Sequence, residues 1–211
     1  MKRSLFLALY ISSPLVPAVL YFLSVGGGID EYTLSMILGI YAFILICNQL
    51  ILASRPSFAM EALGLKGILA LHGTAPFVIL GIAGVHRFLK MAVGFSAETV
   101  QATFGTAAWW TFLLAAFFAL LLLAPINHPV AKKLKDLMAR SFKLDYKTAR
   151  LFHNITLAAS IAIMIHVLLA SSSNFQANPI GTLWMIAWLS LALGMYLGYR
   201  LRGRKSPVGL S

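Results

Sequence analysis

Four of the five histidines fall in pairs, His72 with His86 and His153 with His166, inside stretches with almost no other polar residue. A titratable side chain in hydrocarbon is costly, so it is a functional candidate by default. A single one is ordinarily explained by a hydrogen bond to a neighbouring helix; four in two pairs ask for more. His72 and His86 are 14 residues apart and His153 and His166 are 13 apart, which is about 21 and 19.5 Å of helix rise. Two imidazoles facing each other across a bundle can supply both axial positions of a haem iron, and a six-coordinate iron of that kind suits electron transfer. Four histidines spread over such distances do not share one bare ion. In an ideal helix the 14-residue step returns to within about 40° of the same face, while the 13-residue step misses by roughly 140°. Ser160, between His153 and His166, is placed to bond back to a carbonyl and bend its helix. His128, beside Pro129, reads as a solvated loop residue.

The elements that carry these residues follow from composition. Of 211 residues 60% are hydrophobic and 11% charged, with mean hydropathy +0.85, too few charges for the surface of a soluble domain of this length. The expected fold is all-α, a polytopic six-helix transmembrane bundle forming one domain over residues 1–211, since about 20 helical residues cross a bilayer core. The spans are expected near Leu5–Val25, Thr33–Ser54, Gly67–Val93, Gly105–Pro125, Thr148–Ser171 and Gly181–Leu201. Met1-Lys2-Arg3 before an apolar run also resembles a signal peptide, but the run is long and lacks a small-residue cleavage site, so a retained first helix is expected. Pro14 and Pro17 should kink it, which a bundle tolerates when neighbours satisfy the freed carbonyls.

The net charge of +11 does not read as nucleic-acid binding, because the basic residues sit in short loops between apolar runs. With six spans and the N-terminus inside, only Arg87 and Lys90 of the seventeen basic residues fall outside. That is the positive-inside asymmetry, and it puts both termini in the cytoplasm. On this topology the two histidine-bearing helices run in the same direction, with His72 and His153 at one inner depth and His86 and His166 at one outer depth. The loop from Ile126 to Lys147 holds a basic stretch, Lys132 to Lys143, that reads as an amphipathic helix at the membrane face. It is suited either to anionic lipid or to an acidic flavoprotein donor. Cys47 is the only cysteine, which excludes an internal disulfide and a Cys-x-x-Cys site, and reads as packing.

The segments LHGTAPFVILGIAGVHRF, with His72 and His86, and RLFHNITLAASIAIMIHVLL, with His153 and His166, resemble the ferric reductase-like transmembrane domain. Ferric reductases, NADPH oxidases and the haem subunit of the bacterial periplasmic methionine sulfoxide reductase system share that domain. The resemblance implies six helices and two b-type haems held between the third and fifth, His72 with His153 and His86 with His166 as axial ligands of iron. It covers the chain from about the second helix onward. Members that oxidise NADPH directly carry a flavin and nicotinamide domain after the sixth helix. Only about ten residues follow it here and no Gly-x-Gly-x-x-Gly loop appears, so flavin is expected only through a partner. The expected partners are a separate cytoplasmic reductase or flavoprotein donor, an outer-face acceptor protein or small-molecule or metal substrate, and the lipid bilayer, but no nucleic acid.

Other residues carry secondary expectations. Arg150, one turn before His153, is a candidate for a propionate of the inner haem, with helix-end snorkelling as the plain alternative. Arg87, directly after His86, is a candidate for an outer propionate or an anionic substrate, with an ordinary exception to the charge bias as the alternative. Lys66 is a weaker candidate at the inner haem. Phe77 lies between the two ligands of its helix and is assigned to packing. Asn48 and Gln49 are assigned to interhelical hydrogen bonding, with orientation of a ligand imidazole as the alternative. Trp109, Trp110, Trp184 and Trp188 read as an interfacial belt. Two other functions compete: a small transporter or proton relay without haem, weakened by the lack of Asp or Glu in the spans, and an ascorbate-type di-haem cytochrome, which spreads its ligands over four helices.

Overall fold

The computed structural model describes residues 2–120, 129, 132, 133, 136, 137 and 146–202, the side chains of 146–153 excepted. Among these residues there is no strand, and the helices are α1 (Arg3–Ser12), α2 (Leu15–Ser24), α3 (Glu31–Ala53), α4 (Ser57–Ala92), α5 (Val100–Phe118), α6 (Tyr146–Leu168) and α7 (Pro179–Leu201), with a 3-10 turn at Ser171–Ser173. Among the described residues four stretches are long and apolar enough to cross a membrane: Arg3–Ser24, Glu31–Ala53, Ser57–Ala92 and Pro179–Leu201. The chain divides into two compact units, residues 1–95 with 167–211 and residues 96–166.

In the first unit α3 is the central strut. Its buried residues, among them Met36, Ile40, Phe43, Ile44, Cys47 and Leu52, point in every direction around the axis, as expected of a helix packed on all sides. It packs chiefly on α4 and on α7, and α2 also packs on α7. One apolar cluster joins Phe6, Leu52, Ala59 and Ile68, and another joins Ala42, Leu45 and Ile79.

The helix ends are set by local chemistry. Asp30 caps α3, its Oδ1 accepting from Thr33 N at 2.6 Å, and Glu31 follows in the first turn, where negative charge complements the helix dipole. Thr99 caps α5 through Ala102 N, and Asn178 caps α7 through Gly181 N with Pro179 in the first turn. α4 begins ten residues before the expected Gly67 because Ser57–Leu63 forms a helical preamble, broken at Gly64 (φ 66, ψ 169). That backbone conformation is essentially restricted to glycine. α5 likewise starts at Val100, before the expected Gly105.

The proline-driven break in the first span falls at Ser13-Pro14, between α1 and α2. Pro14 has no N–H to give the Tyr10 carbonyl four residues back. Asn48 of α3 supplies the donor instead, with Nδ2 bonding Tyr10 O at 3.2 Å and Ser13 Oγ at 2.8 Å, while Ser13 Oγ donates to Tyr10 O at 3.1 Å.

Candidate functional site

His72 and His86 lie on α4 in the first unit, and His166 lies near the end of α6 in the second. His153 is helical on α6, and so is Arg150, but their side chains fall outside the described residues. His128 and Lys143 fall outside them altogether; of the basic loop, Lys132, Lys133, Asp136 and Leu137 are helical and exposed. α4 continues through Pro76, between its two histidines. His72, His86, Arg87 and His166 are all partly buried, and Phe77 is exposed.

His86 is held by the start of α3. Its Nδ1 lies 2.7 Å from the Ser35 carbonyl oxygen and 3.2 Å from Ser35 Oγ, and that hydroxyl donates in turn to the His86 carbonyl at 3.1 Å. Ser35 is fully buried. A carbonyl oxygen only accepts, so Nδ1 carries the hydrogen, and in the neutral ring the lone pair is assigned to Nε2. The imidazole lies flush on α3 at Gly39: a Cβ there would come 2.9 Å from Cε1 and 3.0 Å from Nδ1.

His166 is held in the same manner by the start of α5. Its Nδ1 lies 2.8 Å from the Gln101 carbonyl oxygen, which assigns the same tautomer. A Cβ at Gly105 would come 2.7 Å from Nδ1 and 2.8 Å from Cε1. Ser35, Gly39, Gln101 and Gly105 were not among the residues expected from sequence. The acceptors are backbone atoms, which carry no residue signature, and the one available signal is a glycine near the start of a helix that precedes a histidine-bearing one.

The supporting residues sort differently from one another. Asn48 accepts from Trp188 Nε1 at 2.9 Å besides bonding Tyr10 and Ser13, and Gln49 Nε2 donates to Tyr10 Oη. These two residues therefore join helices, and the imidazole is oriented by Ser35. Trp188, stacked on Trp184 at 5.9 Å, is more than a belt residue, since its indole N–H closes this buried polar cluster. Lys90 is 7% exposed, with Nζ 3.6 Å over the Tyr32 ring and 4.7 Å from that of Phe95, and Tyr32 Oη meets Ser171 Oγ at 2.7 Å. A cation enclosed by aromatic faces accounts for one of the two exceptions to the charge asymmetry. Ser160 Oγ bonds back to Thr156 O at 2.8 Å, as expected, and Cys47 is fully buried in the packing of α3. Among the described residues no three His, Cys, Asp or Glu side chains gather as a bare-ion site would need. Comparison with protein-family models, curated proteins and solved structures finds no match.

Proposed function

We propose that this chain is the haem-bearing membrane component of an oxidoreductase system, a di-haem b-type protein that passes electrons from a cytoplasmic donor to an acceptor at the outer face. In this reading it spans a bacterial inner or plasma membrane six times with both termini in the cytoplasm, the four apolar helices of membrane length being joined by α5 and α6. His72 and His153 hold the inner iron and His86 and His166 the outer one, pairs that rest on their depth in the sequence. Arg150 and Arg87 serve propionates at the two faces, and the basic loop receives the flavoprotein donor. Bound haem would supply the one-electron couple, and the four histidines would hold it.

The observation that carries this reading is the orientation of His86 and His166. Each gives its Nδ1 hydrogen to a backbone carbonyl, the outer-shell bond that ligand histidines make, and each is thereby set to ligate through Nε2. The same geometry speaks against the competing proton relay. A backbone carbonyl cannot take up a proton and pass it on, so the Nδ1 contacts to Ser35 O and Gln101 O are not steps of a proton path.

The test is a reduced-minus-oxidised spectrum of the purified chain with haem quantified per polypeptide, repeated for His72→Ala and His166→Ala. The expected result is two low-spin haems in the parent and the loss of a different one in each variant. A folded, colourless parent protein overturns the proposal.

A further inference from the structure

Across the two units the acceptor and the glycine stand in one register: Ser35 and Gly39 are four residues apart on α3, and Gln101 and Gly105 are four apart on α5. In an α-helix the carbonyl of residue i points along the axis toward residue i+4. A side chain projecting near that position shields the oxygen from the flank. Where residue i+4 is glycine the flank is open, and the oxygen can take a second donor besides its own helical N–H. Both rings enter through such an opening, with Nδ1 at 2.7 Å from Ser35 O and 2.8 Å from Gln101 O. In both, the missing Cβ would lie 3.0 Å or less from Nδ1 and Cε1, closer than a methyl group tolerates.

The contrast with other helical glycines is direct. Gly73, Gly81 and Gly84 on α4 and Gly194 and Gly198 on α7 have nothing within 4 Å of an added Cβ. Gly67 and Gly181 are approached only by Leu63 and Asn178, three or four residues back in the chain. Gly39 and Gly105 are thus distinguished by a side chain from another helix, in each case an imidazole. Helix interiors disfavour glycine, so two such glycines, each under a histidine and each four residues beyond the carbonyl that histidine uses, form one device that occurs twice.

We infer that Ser35 with Gly39, and Gln101 with Gly105, are duplicated cradles in which a glycine exposes a backbone carbonyl that fixes the tautomer and ring orientation of His86 and of His166. The four are positioning residues: they touch the imidazole and act through it. Their influence on a bound iron rests on the function proposed above, whereas their influence on the ring does not. A carbonyl drawing on Nδ1–H makes the imidazole a stronger donor at Nε2 and favours the oxidised iron. Displacing the ring therefore raises the midpoint potential of the outer haem or empties its site.

The experiment uses the full chain labelled with 15N-histidine, in detergent and reduced with dithionite so that low-spin iron is diamagnetic. The parent is expected to show His86 and His166 as Nδ1–H tautomers. Gly39→Ala shifts the His86 ring resonances and Gly105→Ala those of His166, and with porphyrin bound each raises one midpoint potential or removes about one haem per chain. Gly81→Ala, at an open helical position, leaves resonances, haem content and potentials unchanged. Nε2–H tautomers in the parent overturn the inference, as do glycine variants whose ring resonances match the parent. If a glycine variant does not fold, the tautomers of the porphyrin-free parent decide, because iron at Nε2 would by itself force the hydrogen onto Nδ1. A chain without porphyrin that keeps the tautomers and the alanine-induced shifts rejects the proposed function and leaves the cradles standing.

Discussion

The two cradles differ in what stands behind the shared carbonyl. At His86 the acceptor belongs to a helix buried on all sides, and the Ser35 hydroxyl adds a contact to Nδ1 and a return bond to the His86 carbonyl. At His166 the Gln101 carbonyl belongs to a helix whose buried residues are the small Ala108 and Ala115. Both rings present Nδ1 to a main-chain oxygen and lie against a glycine. The backbone carbonyl and the absent Cβ are therefore the elements common to both cradles.

The largest expected effect comes from removing the polar cluster that fixes α3 in place. Asn48→Ala leaves the partly buried Trp188 indole N–H without its acceptor and deprives the Tyr10 carbonyl, already short of a proline donor, of Asn48 Nδ2. Buried polar groups left unmade cost about 1–3 kcal/mol each, so the variant should lose about 3 kcal/mol in an SDS unfolding titration monitored by helicity. If α3 is the strut behind the first cradle, the His86 resonances should broaden in this variant. An unfolding midpoint equal to that of the parent would remove the cluster from the account.

Ser35→Ala sharpens the comparison itself, because it strips the first cradle to the elements that the two share. The expected cost is about 1 kcal/mol for a buried hydroxyl and its bond. The Nδ1–H tautomer of His86 should persist, since the carbonyl that fixes it remains. Loss of that tautomer in the 15N spectrum would show that the hydroxyl, and not the backbone, orients the ring.

The difference between what sequence revealed and what it hid has the same physical root. The long apolar runs exposed α3, α4 and α7 because lipid-length helices need them, and Pro14 marked the break because a missing N–H is written in the residue type. The histidines stood out as rare titratable groups among apolar ones, and Asn48 was recognisable as a polar group that must find partners. The preamble of α4 before Gly64 was hidden because its end depends on a positive φ, which glycine permits but does not announce. Ser35 and Gln101 were hidden because a main-chain oxygen has no residue identity. Lys90 drew notice as a charge on the wrong face; its enclosure by Tyr32 and Phe95 depends on how α3 and the end of α4 meet.

The smallest effect separates the acceptor helices by the chemistry of their caps. α3 starts on a carboxylate, Asp30, and α5 on a hydroxyl, Thr99, so acid should loosen only the first. The Thr33 N–H bond holds the Asp30 carboxyl below its ordinary range. A depressed pKa contributes stability that is whole above the unfolded-state value and is lost as pH falls through the folded-state one. Asparagine caps about as well as aspartate and does not titrate. Thermal midpoints of the parent and Asp30→Asn should therefore lie close together at neutral pH and separate below about pH 4, with the parent falling faster. Thr99→Ser supplies the matching control in α5, because a hydroxyl cap replaced by a hydroxyl cap should track the parent at every pH. Parallel acid curves for the parent and Asp30→Asn would mean that the cap is not what anchors the first turn of α3. The support of the His86 cradle would then rest on the burial of α3 and the Asn48 cluster.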